Sequence, residues 1–175
     1  MMRWIGWAAF TLALAAAIHW AAITYAPSLI MARAMTAMGG KGVNTITHGD
    51  RATAASRTIV KPSPDLLYSY CVFDVSRQPL KITTAAPTDT YWSVALYTAN
   101  TDNFYTLNDT QAGGQPATIV LVGQGQTVPP QPEGTIIVAA PSQKGVVLFR
   151  TLINDDAREP ELDRMRRAAA CDPLR

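Results

Sequence analysis

The chain is expected to be mainly β, an antiparallel sandwich or barrel with an N-terminal transmembrane helix and a short C-terminal helix. Three observations point there. An apolar run without charge opens the chain, short β-branched and aromatic segments follow between proline and glycine turns, and two widely separated cysteines flank those segments. With 175 residues the chain has room for one domain plus attachments.

Residues from Trp4 to Ala32 contain no Asp, Glu, Lys or Arg. About 20 apolar residues cross a bilayer as a helix, so "WIGWAAFTLALAAAIHWAAITYA", Trp4 to Ala26, is long enough. Trp4 and Trp7 at one end, and Trp20 and Tyr25 at the other, suit the headgroup level. Pro27 is expected to end the run, because it cannot continue the helical hydrogen-bond ladder. A cleavable signal peptide has a shorter apolar core than this, so the run reads as an uncleaved anchor. His19 lies in it with no charged partner and reads as a neutral group near the interface.

Orientation rests on competing signals. Arg3 precedes the run, whereas Arg33, Lys41, Arg51 and Arg57 follow it, and a strict count would leave the following domain in the cytoplasm. A basic residue just before an N-terminal apolar run is instead the pattern of a signal anchor. The cysteines decide: Cys71 and Cys171 are two, form no C-x-x-C pair, and suit a disulfide in an oxidising compartment. The expected location is therefore the inner (cell) membrane, single-pass, with the C-terminal domain in the periplasm. The net charge is only +2 with scattered basic residues, so nucleic acid is not an expected partner.

Beyond the anchor (1–27), "SLIMARAMTAMGG" reads as a juxtamembrane helix stopped by glycines, and a polar connector completes 28–60. The β domain occupies 61–175. Its strands are expected at 66–75, 80–84, 91–98, 117–122, 135–140 and 146–153. Pro79, Pro87, Gly113-Gly114, "TVPPQPEG" and Lys144-Gly145 separate them. The final helix has Asn154, Asp155 or Asp156 as its cap, Pro160 in its first turn, acids early and arginines late. Cys71 shares a strand face with Leu67, Phe73 and Val75, and docking of the helix before Cys171 is expected to bring the sulfurs together.

Three segments, "NTITH", "SRTIVKPSPDLLYSYCVFDVSRQPLKIT" and "DTYWSVALYTANTDNFYTL", resemble the bacterial domain-of-unknown-function family 1254 over residues 44–108. The motif falls on Pro62, Pro64, Asp65, Tyr68, Ser69, Asp74, Pro79, Tyr91, Trp92 and Asn103. Leu66 stands where Thr often follows the acid, and Gln78 where Gly often precedes the proline. The resemblance implies a jelly-roll-like sandwich, commonly exported or membrane-anchored, sometimes beside a related partner domain. It implies no settled activity.

Candidate ligand-binding residues are Asp65, Tyr68, His48 and Asn103. Asp65 enters a strand from a Pro-x-Pro turn, where a carboxylate either meets a ligand or caps backbone N–H groups. Tyr68 and Tyr70 share a strand face, suited to stacking on a flat ligand or to half-buried packing. His48 has no second His, Cys or carboxylate at ligand spacing, so neither a metal nor a cofactor is expected. No Gly-x-Ser-x-Gly elbow is present to give it a nucleophile. Asn100, Asp102, Asn103, Asn108 and Asp109 lack calcium-loop spacing and read as turn residues. The expected role is a non-catalytic binding or assembly module of the envelope. The alternative is a small envelope hydrolase or lyase acting on a glycan-like substrate around Asp65 and Tyr68.

Overall fold

Two sheets face each other across one apolar core in the computed structural model, which describes residues 2–56 and 62–174. Arg57 and Lys61, together with the boundary expected between residues 60 and 61, lie outside the described residues. The first sheet has the order β1 (Ile46–His48), β2 (Leu66–Asp74), β8 (Lys144–Leu152), β4 (Trp92–Thr98), β5 (Asn103–Asn108). The second runs β7 (Ile136–Ala139), β6 (Thr118–Val122), β3 (Leu80–Thr83), β9 (Ala170–Pro173). Every pairing is antiparallel except β6 with β7, which is parallel. The chain crosses repeatedly from one layer to the other, so the expected mainly antiparallel sandwich is the architecture found.

Alternation along the strands builds the core. Leu67, Cys71 and Phe73 of β2 point inward, as do Val94 and Leu96 of β4 and Val147 and Phe149 of β8. Leu80, Ile82, Ile119 and Leu121 meet them from the second sheet, each wholly buried. Within the first sheet, the neighbours of β8 crowd Gly145 so closely that an added Cβ would lie 2.6 Å from the Phe73 ring of β2 and collide with the Tyr97 carbonyl of β4. The Cys71–Cys171 disulfide joins β2 of one sheet to β9 of the other, closing a sequence separation of 100 residues. Cys171 pairs with Ile82 inside a strand rather than merely trailing the helix.

The first helix corrects an expectation. Instead of stopping at Pro27, α1 runs unbroken over Met2–Met38. Proline removes one backbone donor, but the ladder continues on both sides, and proline inside membrane-type helices is tolerated. The stretch beyond Pro27 also gains tertiary contacts. Met31 and Ala34 are buried against Val146 on the outer face of the first sheet, and Met35, Met38 and Tyr97 pack around them. Before Pro27 the helix meets almost nothing: Trp4 is 80% exposed and Trp20 60%. This helix is long and apolar enough to cross a membrane.

Three strands lie where none was expected. β1 and the preceding connector are clipped to β2, with Asn44 Nδ2 donating to the Asp74 carbonyl and Asn44 Oδ1 accepting from the Asp74 N–H. The Asn-rich stretch after β4 forms β5, and the residues around Cys171 form β9. After β8, Asp155 caps a short 3-10 turn by accepting from the Ala157 N–H at 2.9 Å, and α2 (Glu159–Arg166) follows with Pro160 in its first turn.

Candidate functional site

One end of the sandwich is closed by α2, whose wholly buried Leu162 packs on Leu67 and Ile153. Beside it Arg166, only 4% exposed, reaches under the first sheet. Its Nη1 donates to the Tyr68 carbonyl at 2.7 Å and to Ser69 Oγ at 3.0 Å, and its Nη2 donates to the Gly49 carbonyl at 2.6 Å. The Asp163 carboxylate takes Arg166 Nε at 2.8 Å and Nη2 as well, and accepts Arg167 Nε at 2.8 Å. A buried guanidinium is tolerable only when its donors are used, and here backbone, hydroxyl and carboxylate use them. Burial pushes the Asp163 carboxyl up, but hydrogen bonds from Arg167 and Arg166, with their charges, outweigh it. The group is held below its ordinary value of 3.8.

His48 enters this network because β1 sets it opposite Ser69. Its Nδ1 lies 2.8 Å from Ser69 Oγ, the distance of a nucleophile from its base. Ser69 is nevertheless 1% exposed, and the same oxygen accepts from Arg166. What this contact does in the fold is join β1, β2 and α2. Arg51 makes a second tie, with Nη1 2.7 Å from Glu159, Nη2 2.8 Å from Asp156, and Nε donating to the Pro64 carbonyl at 2.8 Å.

The outer face of the same sheet carries different chemistry. Register places Tyr68, Arg150, Ser93 and Asn108 in one row across β2, β8, β4 and β5. The next row holds Thr47, Tyr70, Leu148, Ala95 and Thr106, and the one after it holds Val72, Val146 and Tyr97 under α1. Arg150 Nη2 donates to the Tyr97 hydroxyl at 2.9 Å, and the Tyr68 hydroxyl accepts from the Ser63 N–H at 3.0 Å. Ser93 is 2% exposed, and among the described residues its Oγ has no hydrogen-bond partner.

Asp65, Tyr68 and His48 all lie at the β1–β2 end but do not converge, because His48 shares the inward face of Ser69 while Tyr68 is on the outer face. Asn103 lies at the opposite edge. Four strand spacings separate β1 from β5, roughly 19 Å. Asn103 serves its own edge: Nδ2 donates to the Leu96 and Tyr105 carbonyls at 3.3 Å, and Oδ1 accepts from Thr106 Oγ1 at 2.9 Å. These bonds brace the irregularity between Leu96 and Tyr97. Asp65 is exposed, and its carboxylate makes no hydrogen bond or ion pair among the described residues. The cap expected of it belongs to Ser63, whose Oγ accepts from the Asp65 N–H at 3.3 Å.

Sequence reasoning missed Arg166, Arg150 and Ser93 as site residues, and it named Ser69 only within the family motif, without its contacts to His48 and Arg166. The alternation that paired Tyr68 with Tyr70 was visible, but the partners that register brings opposite them were not.

Fold and surface together define a two-layer β domain with a long apolar N-terminal helix. The chain belongs to the family described as protein of unknown function DUF1254, whose match spans residues 43–173. Among solved structures it is similar to the VPA0106 protein from Vibrio parahaemolyticus, with a TM-score of 0.67 at 10% identity over 86% of this chain. A putative uncharacterized protein from Burkholderia cenocepacia aligns over 66% of this chain with 15% identity and a TM-score of 0.48. The chain spans about a third of the length of these structures, 35% and 33% respectively. No curated protein matches it significantly.

Proposed function

We propose that the protein is a single-pass, membrane-anchored envelope module whose sandwich binds a partner or ligand on the periplasmic side without catalysing a reaction. The observation that carries this reading is the division of α1. Its apolar residues before Pro27 are open to the surroundings, whereas Met31 and Ala34 beyond it are buried against the sheet. A helix of 37 residues is roughly 55 Å long. A bilayer core takes about 30 Å of that, and the remainder suffices for the docked turns. The anchor thus enters the domain as a rigid arm. The disulfide supports an oxidising compartment. Asp65, Tyr68 and His48 remain the proposed ligand-facing residues at one end, with Asn103 at the far edge, and a related envelope protein is a proposed partner.

The test is extraction of membranes with alkaline carbonate. The full chain should stay with the bilayer, and release into the soluble fraction would refute the anchor. The alternative, a hydrolase or lyase acting on a glycan-like substrate, is favoured by the His48–Ser69 contact alone. It requires that Ser69→Ala abolish turnover of a glycan substrate while the fold persists.

A further inference from the structure

The anchor covers only the Val72–Val146–Tyr97 row of the first sheet's outer face, and Arg150 is the telling residue of the part it leaves open. Arg51, Arg158, Arg166 and Arg167 each pair with a carboxylate. Arg77 and Arg164 are exposed, where water solvates a cation. Arg150 is half-buried in mid-sheet, and among the described residues its partner is the neutral hydroxyl of Tyr97, with no carboxylate in contact. A guanidinium has five donors in a planar fork suited to carboxylate or phosphate oxygens. Tyr68 faces it across one strand, Tyr70 lies in the next row and Tyr97 beyond. The second, independent sign is Ser93, directly opposite Arg150 on the other side, whose buried hydroxyl has no partner among the described residues. Half-buried tyrosines, an uncompensated cation and an orphaned hydroxyl in adjoining rows describe a surface lacking its anion.

We infer that this face binds an acidic glycan, with sugar rings against Tyr68 and Tyr70 and the carboxylate on Arg150. The inference rests on the reading of the domain as an envelope binding module and names its ligand class. A lipid headgroup offers similar charge, but the geometry favours the glycan. Ser28 of α1 adjoins Thr98, Asn100 and Asp102 at the far end of β4. Ser93 lies five residues back along that strand, roughly 17 Å away. The platform is therefore distant from where the helix leaves the domain.

The experiment titrates detergent-solubilised full chain with tetragalacturonate and with the neutral tetragalactose of the same linkage, read by calorimetry. Saturable binding of the acid, at least about tenfold weaker for the neutral oligomer, is expected. Arg150→Met should lose about tenfold or more, Arg150→Lys should retain part of the affinity, and Arg77→Met should bind as the native chain does. Melting curves verify that each variant is folded. Absence of saturable binding, or equal binding by the neutral oligomer and by folded Arg150→Met, overturns the inference. Displacement of the uronate by dihexanoyl phosphatidylglycerol at lower concentration than by free galacturonate would reassign the face to lipid and also overturn it. Detergent removes anchoring from the measurement, so a failed titration leaves the membrane reading intact. Failure of carbonate retention leaves the titration interpretable.

Discussion

Two neighbouring polar residues show how differently a side chain can matter. Asp65 contributes an exposed carboxylate with no bond among the described residues, whereas Ser63 holds the turn by accepting from the Asp65 N–H. Asp65→Ala should thus shift stability by no more than about 0.5 kcal/mol in urea denaturation, and Ser63→Ala should cost about 0.5–1.5 kcal/mol. A larger effect at Asp65 would contradict that assignment. Arg166 is the opposite extreme, because removing it leaves Asp163, two backbone carbonyls and Ser69 without their buried donor. Arg166→Met should cost about 3–5 kcal/mol by the same measurement. The depressed Asp163 carboxyl sets a pH dependence. A group whose folded value lies below its unfolded one adds stability that is fully present above the unfolded value, ordinarily 3.8, and is lost as pH falls through the folded one. Urea midpoints should therefore decline more steeply below about pH 4 in the native chain than in Asp163→Asn. None of this was readable from "LDRMRRAAA": Arg164 and Arg166 of α2 and Arg167 at its C-terminal cap become distinct only when docking decides which is buried.

Elements differed in legibility according to where their stability originates. β2, β4, β6 and β8 carry their own signal in Val, Ile, Leu and aromatic residues, and they lie within a residue or two of expectation. The helix cap was legible only as a choice among Asn154, Asp155 and Asp156: Asp155 caps the 3-10 turn, and α2 follows Arg158 without a side-chain cap. β5, "NFYTLN", was hidden because asparagine at both ends reads as turn, although here Asn103 braces an edge. β9, "ACDP", has no strand propensity and exists through pairing with β3 and the bond to Cys71. Breaking that bond frees β9 and the loop of about 100 residues it closes. Cys71→Ala/Cys171→Ala should lower stability by up to about 4–5 kcal/mol in the loop-entropy picture. Intact mass of unreduced, alkylated protein should show no free thiol. Gly145→Ala tests how tightly β2, β8 and β4 crowd together within the first sheet, since its Cβ would strike the Tyr97 carbonyl and the Phe73 ring. It should cost about 3 kcal/mol, and a neutral result would mean that the strands part there more easily than the geometry allows.

For the whole molecule, the decisive relation is between the helix and the sandwich. The sequence separates an anchor from a connector at Pro27, yet α1 is one rod that leaves the apolar run exposed and lays Met31 and Ala34 on Val146. Continuity was illegible because proline is read locally, while docking of the turns beyond it is a tertiary gain. The central proposal is that this rod fixes an oxidised sandwich on the outer side of the cell membrane. An alkaline phosphatase fusion after Arg175 tests it most directly, because that enzyme is active only outside the cytoplasm. The account predicts an active fusion in the membrane fraction. An inactive fusion, with a cytoplasmic reporter working at the same point, would contradict it.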